Sequence, residues 1–317
     1  MKNIARKILF SHTTIKEYQS VTINGTIQEK VYLKTENFFI DISETNYLLC
    51  LEPMIFGIWL SKEEGVVTLQ EESQFRMHFT DSICDNKSLK KNSTAILTLD
   101  FFNKIEDECG TLLLLKLKRS RLHHISLFKI LFLFFGYYRK PGVSFNKFKS
   151  YVSAFSYPRR VRLISFTQND YYNIFPMDLL GEIKNCNRYV FGLRHSNAAL
   201  AKIMETKKIV VSEVSHTYKN TIYHLGKYHK ENPSSFDSLS FKTTHTSNFG
   251  FYIPEWVQSY KEIKILETMN LGSQMLLWGE VVNEKTLNRF ESNLYHIHFL
   301  LYLHQQKKRH GYQLVEY

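Results

Sequence analysis

The triplet Arg194-His195-Ser196 is the part of the sequence whose residue types and position best suit the binding of an anion. It follows a short apolar run that predicts a β-strand, and the segment SNAALAKIMETKK predicts a helix that begins at a Ser/Asn cap. A helix N-terminus offers free N–H groups and partial positive charge, and Arg194 adds a bidentate fork for phosphate. The alternative is that Ser196 only caps the helix and Arg194 is a solvated surface charge.

The usual glycine-rich phosphate loops do not occur in the sequence. There is no GxGxxG pattern after a predicted strand and no GxxxxGK[ST] pattern in the 317 residues. A Rossmann domain or a P-loop NTPase depends on such a loop. The sequence therefore argues against both folds, and a nucleotide cofactor would have to be held in another way.

The cysteines and histidines do not predict a metal site. The sequence contains no CxxC pair, and its cysteines are scattered at Cys50, Cys84, Cys109 and Cys186. This usage is typical of reduced cysteines in a cytoplasmic protein. The segment LYHIHFLLYLHQQKKRH predicts a helix, on which His296 and His298 would point about 200° apart. We therefore expect no metal to be bound.

The balance of charge favours an anionic partner. The chain has 41 Lys and Arg against 30 Asp and Glu, a formal net charge of +11 at pH 7. Such a surplus suits a nucleic acid, a membrane surface or a phosphorylated small molecule, and charge that only maintains solubility is the alternative. The basic runs lack the interleaved aromatic residues of RNA-recognition modules, so no specific nucleic acid is expected.

The elements that must position the triplet are predicted to be mainly strands, with a few helices. Aromatic residues make up 15% of the chain, which favours sheet. Turns between strands are predicted at Asn24-Gly25, at Glu52-Pro53 and at Asn270-Leu271-Gly272. The apolar stretch 125–138 is shorter than the ~20 residues of a transmembrane helix, so it predicts a buried linker helix, with a membrane-surface helix as the alternative.

Length and element order predict three parts. Residues 1–120 form a β-rich N-terminal domain, residues 121–145 a linking helix, and residues 146–317 the domain that contains the triplet. The stretch MIFGIWLSKEE (54–64) is similar to YVFGLRHSNAA (189–199), and both contain Phe-Gly followed by a Ser. This similarity indicates two related domains, with chance as the alternative.

The C-terminal half resembles the flavin reductase-like, FMN-binding split-barrel family. The resemblance is carried by YPRRVRLIS, NIFPMDLLGEI, RYVFGLRHSNAALAKIMETKKIVVSEV and YIPEWVQSYKEIKILETMNLGSQMLLWGEVV, in that order. It implies a Greek-key split β-barrel that binds FMN at a homodimer interface. A degenerate second barrel in residues 1–120 would let one chain build that pair within itself.

The resemblance also implies the residues that would hold the cofactor. The isoalloxazine ring would lie near residues 173–181, and the phosphate would meet the triplet at 194–196. The implied FMN-binding set is Asn173, Phe175, Pro176, Met177, Asp178, Gly181, Arg194, His195, Ser196 and Asn197. Two positions depart from the family pattern, since Ser212 stands in place of an Asn and Gln274 in place of a His.

These observations predict an FMN-binding flavoprotein, an NAD(P)H-dependent flavin reductase or flavin-linked oxidoreductase in which NAD(P)H is a transient reductant. A non-enzymatic flavin- or haem-binding protein and a basic nucleic-acid-binding protein are the alternatives. The expected partners are a flavin nucleotide and either a second subunit or the other half of the same chain. A cytoplasmic location without a transmembrane segment is also expected.

Overall fold

A computed structural model gives the fold for residues 2–11, 16, 18–62, 74–233, 239–289, 291–308 and 311–315. The described part is mainly β, as the sequence predicts. The strands are β1 (Tyr18–Ile23), β2 (Lys30–Lys34), β3 (Phe39–Asp41), β4 (Asn46–Leu51), β5 (Met54–Ser61), β6 (Phe75–Thr80), β7 (Ser93–Asp107), β8 (Gly110–Leu122), β9 (Arg159–Arg160), β10 (Arg162–Gln168), β11 (Tyr171–Met177), β12 (Leu180–Ile183), β13 (Arg188–Arg194), β14 (Lys208–Glu213), β15 (Thr243–His245), β16 (Tyr252–Pro254), β17 (Ser259–Asn270), β18 (Gln274–Thr286), β19 (Tyr295–His298) and β20 (Tyr312–Leu314). The helices are α1 (Lys2–Phe10), α2 (Leu89–Asn92), α3 (Leu127–Leu133), α4 (Phe145–Ala154), α5 (Leu200–Thr206), α6 (Lys219–His224) and α7 (Phe299–Lys308).

Two seven-stranded antiparallel sheets with the same topology make up most of the structure. The N-terminal sheet has the order β3-β2-β6-β7-β8-β5-β4, and the C-terminal sheet has the order β11-β10-β14-β17-β18-β13-β12. The two orders coincide when the strands of each sheet are matched in chain order. The chain therefore contains the same sheet topology two times, once in each half.

The Phe-Gly motif found in the sequence occupies equivalent positions in the two sheets. Gly57 of β5 lies opposite Leu114 of β8, and Gly192 of β13 lies opposite Leu276 of β18. β5 is matched to β13 and β8 to β18 by the sheet order. The short sequence similarity thus marks two related halves.

The two halves pack directly on each other along a surface that we call the seam, formed by β4 and β5 on one side and β12, β13 and β18 on the other. The Tyr47 hydroxyl donates a hydrogen bond to the Glu182 carbonyl at 3.0 Å. A Cβ on Gly192 would lie 1.7 Å from the Leu49 carbonyl oxygen, so only glycine allows this approach. The seam is a buried core and not a loose contact between domains.

The turns of the two long hairpins are where the sequence places them. β4 and β5 are joined at Glu52-Pro53, and β17 and β18 are joined at Asn270-Leu271-Gly272. The predicted hairpin at Asn24-Gly25 is wrong, because β1 pairs with β19 and β20 and not with β2. β1 is almost fully buried, and its Val21 and Ile23 share an apolar cluster with Ile297 and Leu301 near the end of the chain.

The helices α1, α3, α4 and α7 pack together in one apolar cluster. The stretch predicted as one helix forms α3 and a π-helical continuation to Tyr138. Its Ile130, Leu133 and Phe134 pack with α1, α4 and α7, while Leu127 and Phe128 stay exposed. Within the described residues, no helix has both the length and the apolar character needed to cross a bilayer.

Candidate functional site

The triplet Arg194-His195-Ser196 lies where β13 ends, as the sequence predicts. Arg194, His195 and Ser196 are exposed, and His195 Nε2 is 3.2 Å from Asn270 Oδ1. The predicted cap is wrong, because α5 begins only at Leu200 and the Ala199 N–H donates to Asn197 Oδ1 at 2.9 Å. A Ser-Asn-Ala-Ala turn therefore separates the triplet from the helix, and the helix end does not contribute to the triplet.

The residues expected to line a flavin ring are buried by protein atoms. Asn173 and Phe175 are 0% exposed and Met177 is 7% exposed. Asn173 Nδ2 donates to the Tyr228 carbonyl at 3.0 Å, and its Oδ1 has no hydrogen-bond partner among the described residues. Both faces of β11 are therefore covered, one by the barrel core and the other by the segment that contains Tyr228.

His229 links three residues of the expected FMN-binding set, Phe175, Pro176 and Asn197. Its Nε2 donates to the Pro176 carbonyl at 2.7 Å, and its ring packs on Phe175 with centroids 4.8 Å apart. Burial lowers the pKa of His229, which favours the neutral imidazole, so Nδ1 accepts from Asn197 Nδ2 at 3.3 Å. The imidazole therefore covers Phe175 and Pro176, two of the residues that the resemblance places beside the ring.

Gly181, a member of the implied FMN-binding set, packs against the other half of the chain. A Cβ placed on it would lie 1.9 Å from Cδ1 of Tyr47, so the aromatic ring of the N-terminal half already fills that space. Burial raises the pKa of Tyr47 above its ordinary value, and its hydroxyl stays protonated. In this arrangement Asn173, Phe175, Met177 and Gly181 do not fit the role of a flavin-ring wall, whereas the exposed triplet fits that of a phosphate contact.

Asp178 belongs to a chain of hydrogen bonds that the sequence does not reveal. Its Oδ2 accepts from His296 Nδ1 at 2.9 Å, and the Tyr223 hydroxyl donates to His296 Nε2 at 2.6 Å. The Ser20 hydroxyl donates in turn to the Tyr223 oxygen at 2.6 Å. Burial tends to raise the pKa of Asp178, but His296 and Arg159 hold it below its usual value. A carboxylate, an imidazole and a phenol in this order can relay a proton.

Arg159 is a buried cation that interacts electrostatically with Asp178. Arg159 is buried between the rings of Phe56 and Phe155 and donates to the Ala154 carbonyl at 2.9 Å. Burial lowers the pKa of Arg159 to about 10, and Asp178 opposes that shift. Asp178 therefore already has a hydrogen-bond partner in His296 and a buried cation, Arg159, nearby.

Sequence reasoning missed His229, Tyr223 and His296. The helix predicted for the last segment is wrong at its start, because Tyr295–His298 forms β19 between β1 and β9. His296 and His298 therefore lie on the same side of a strand and not on opposite sides of a helix. The Tyr-His-Ile-His alternation is the signal that could have indicated this strand.

Asp107, Cys109 and Cys186 form a cluster across the two halves that the sequence also does not predict. Their ligand-type atoms lie within 4.8 Å of one another. Arg188 Nε donates to Asp107 Oδ2 at 2.8 Å, so the carboxylate already has a cationic partner. Burial and the neighbouring Cys109 raise the pKa of the Cys186 thiol to about 12, which disfavours the thiolate that a metal requires.

No protein-family model matches the sequence, and no curated protein matches it. In structure the chain is similar to the NADH:FAD oxidoreductase of Streptomyces globisporus, at 11% identity and a TM-score of 0.43, over 49% of this chain and 94% of that one. It is also similar to an FMN-binding protein of Thermus thermophilus, at 14% identity and a TM-score of 0.38, over 44% of this chain and 81% of that one. At such identities and TM-scores, these likenesses carry no argument about the fold or the activity of this chain.

Proposed function

We propose that the chain is a flavin-nucleotide-binding protein in which the two halves take the places of the two subunits of a split-barrel dimer. The observation that carries the proposal is the repeated strand order of the two sheets, packed on each other within one chain. A site that lies between subunits in such a dimer would here lie at the seam. The triplet lies beside the seam, since Ser273, which follows the β17–β18 turn, accepts from His195 N and donates to Glu52 O through its own N–H.

The phosphate of the nucleotide is assigned to Arg194, His195 and Ser196. All three side chains are exposed at the end of a rigid strand, and a guanidinium can bind two phosphate oxygens at once. Lys147 binds the Glu52 carboxylate at 2.7 Å and lowers its pKa, with Arg194 a smaller contributor. Glu52, a carboxylate near Arg194, thus already has a cationic partner of its own.

No role in hydride transfer is assigned to the residues expected near the flavin ring. His229 and Tyr47 occupy the places beside Phe175 and Gly181, so a ring could enter there only if these side chains moved. We therefore infer binding of the nucleotide and derive no redox step from these residues. Oxidation of NADH or NADPH by the protein in the presence of FMN would favour the flavin reductase instead.

The test is a titration of FMN fluorescence with the purified protein and with Arg194→Ala. Loss of one charge-assisted contact should weaken binding by roughly 1–3 kcal/mol, which is about 5-fold to 150-fold. Lys285→Ala is the matched control, because it removes one positive charge from an exposed position of β18. Failure of the wild-type protein to bind FMN, or equal affinities for the wild type and Arg194→Ala, would contradict the proposal.

A further inference from the structure

A cationic cleft of about 640 Å³ lies on the outer face of the N-terminal sheet, remote in sequence from the triplet. Its walls come from β2, β6, β7, β8 and α2. The cations that line it are Lys34, Arg76, Lys90, Lys118, Arg119 and Arg121. None of the described residues that line it is an Asp or a Glu. Its size is that of a small-molecule site, which typically measures about 300–1,000 Å³.

The strand register places Lys34 and Arg76 directly opposite each other, with Arg119 in the same row two strands away from Arg76. Lys34 of β2 pairs with Arg76 of β6, which pairs with Thr98 of β7, which pairs with Arg119 of β8. Side chains directly opposite in an antiparallel sheet are about 5 Å apart, and like charges in such positions destabilise it. A bound anion would relieve this repulsion, which gives the row a physical reason to hold one.

His78 lies in the neighbouring row of the same cleft and offers an unused acceptor. It is 4% exposed, and its Nε2 has no hydrogen-bond partner among the described residues. The Ser93 hydroxyl donates to the Leu89 carbonyl at 2.6 Å, so at 2.8 Å its oxygen accepts from His78 Nδ1–H. The remaining nitrogen therefore carries a lone pair, but it is buried, so a ligand hydroxyl group meets it only when the neighbouring wall of the cleft moves.

The corresponding face of the C-terminal sheet is covered. There the connection between β14 and β17 spans residues 214–258, and the N–H of Asn248 donates to the Glu262 carboxylate at 3.1 Å. In the N-terminal half the connection between β6 and β7 spans only residues 81–92. Among the described residues, the shorter connection leaves the cationic face uncovered, so the two halves of the repeat differ at this position.

The chemistry of the walls limits the ligand. The lining includes no Phe, Tyr or Trp among the described residues, so the cleft has no platform for a nucleobase or a flavin ring. Several cations together with one hydroxyl acceptor suit phosphate groups on a hydroxylated carbon skeleton. We propose that the cleft binds a small phosphate ester of a polyol, independently of any flavin at the seam.

Isothermal titration calorimetry with fructose bisphosphate tests the proposal, and pyrophosphate serves as a second probe that has phosphates but no carbon-borne hydroxyl. Fructose bisphosphate should bind about fivefold or more tightly than pyrophosphate, the scale of one hydrogen bond. The exposed pair Arg76→Gln and Arg119→Gln, made together, should weaken binding of both probes by about 100-fold, since each loses a charge-assisted bond. His78→Asn should reduce the difference in affinity between fructose bisphosphate and pyrophosphate.

The control is the double variant Lys264→Gln and Lys285→Gln, which removes the same charge from exposed positions of the other half. An equal loss in the control variant would overturn the proposal, as would no binding of fructose bisphosphate by the wild type. Displacement of the ester by duplex DNA with a steep salt dependence would reassign the cleft to nucleic acid. Binding to phosphatidylcholine vesicles is measured with and without phosphoinositide, whose headgroup is also a phosphate ester of a polyol. Binding that requires phosphoinositide would support the proposal and identify a lipid headgroup as the ligand.

Discussion

Trp59 of β5 stacks on Trp278 of β18 across the seam, with ring centroids 5.9 Å apart and planes inclined by 25°. One ring belongs to each half of the repeat. They lie in a shared apolar cluster with Leu49, Ile183 and Val190. Aromatic pairs of this kind add stability beyond the area that they bury. The two halves should therefore unfold together and not as separate domains.

Gly192→Ala should destabilise the protein at this seam. The new Cβ would lie 1.7 Å from a backbone oxygen of Leu49, and a backbone atom cannot turn away as a side chain can. We expect a loss of about 3 kcal/mol or more in the free energy of unfolding, measured by urea denaturation. Gly136→Ala is the control, because its Cβ would meet no atom within 4 Å. Equal stability of the two variants would argue against a tightly packed seam.

Glu213 should be essential for stability, because its carboxylate connects β14 to arginines of β9 and β10. Its carboxylate is 2.7 Å from Arg162 Nε and 2.9 Å from Arg160 Nε. Burial tends to raise the pKa of Glu213, but the two arginines hold it below its usual value. Glu213→Gln would leave Arg162 buried without its counter-charge, at a cost of about 3–5 kcal/mol in thermal or denaturant unfolding.

The exposed pair of Lys104 and Glu106 provides the comparison for that variant. Both side chains are more than half exposed, and their charged atoms are 2.6 Å apart. Solvent screens such a pair, so Glu106→Gln should leave the unfolding midpoint unchanged. A midpoint of Glu213→Gln equal to that of Glu106→Gln would contradict the role given to the buried cluster.

His298 should make the protein less stable in weak acid. It is 1% exposed, and burial, assisted by His124, lowers its pKa from 6.5 to about 3. Between these values the unfolded chain binds a proton that the folded chain does not, so stability falls as the pH drops below 6.5. One such group contributes a slope of up to about 1.4 kcal/mol per pH unit.

Replacing this histidine should reduce the pH dependence of stability by that slope. His298→Gln keeps an acceptor for the Leu300 N–H, which is 3.2 Å from His298 Nδ1, but does not titrate. Urea unfolding at several pH values between 4.5 and 6.5 measures the slope for the variant and the wild type. The exposed His245→Gln is the matched control for loss of an imidazole. A slope for His298→Gln that equals the wild-type slope would contradict the prediction.

Much of the fold follows from local sequence, because alternating apolar residues indicate a strand and strong turn residues indicate where it ends. The hairpin at Asn270-Leu271-Gly272 and the Phe-Gly repeat are of this kind. The partner of β1 could not be read in this way, since Tyr18–Ile23 pairs with strands nearly 300 residues later in the chain. The same pairing converts Tyr295–His298 from a predicted helix into a strand.

The candidate site was predictable only at its exposed end. Arg194 follows an apolar strand, so its position at the end of β13 is a local property of the sequence. The closure of the ring end depends on His229 and Tyr47, which reach Phe175 and Gly181 from distant segments. Tertiary packing of this kind leaves no local pattern, and a resemblance in motif order does not report it.

The molar mass of the protein in solution is the most direct test of the claim that one chain supplies both halves of the barrel pair. Light scattering after gel filtration, at several concentrations and with and without FMN, measures it. We expect a monomer of 37.6 kDa at every concentration, because the face that would bind a second subunit is already covered by the other half of the same chain. A stable species of twice that mass would show that the seam within the chain does not replace a dimer interface.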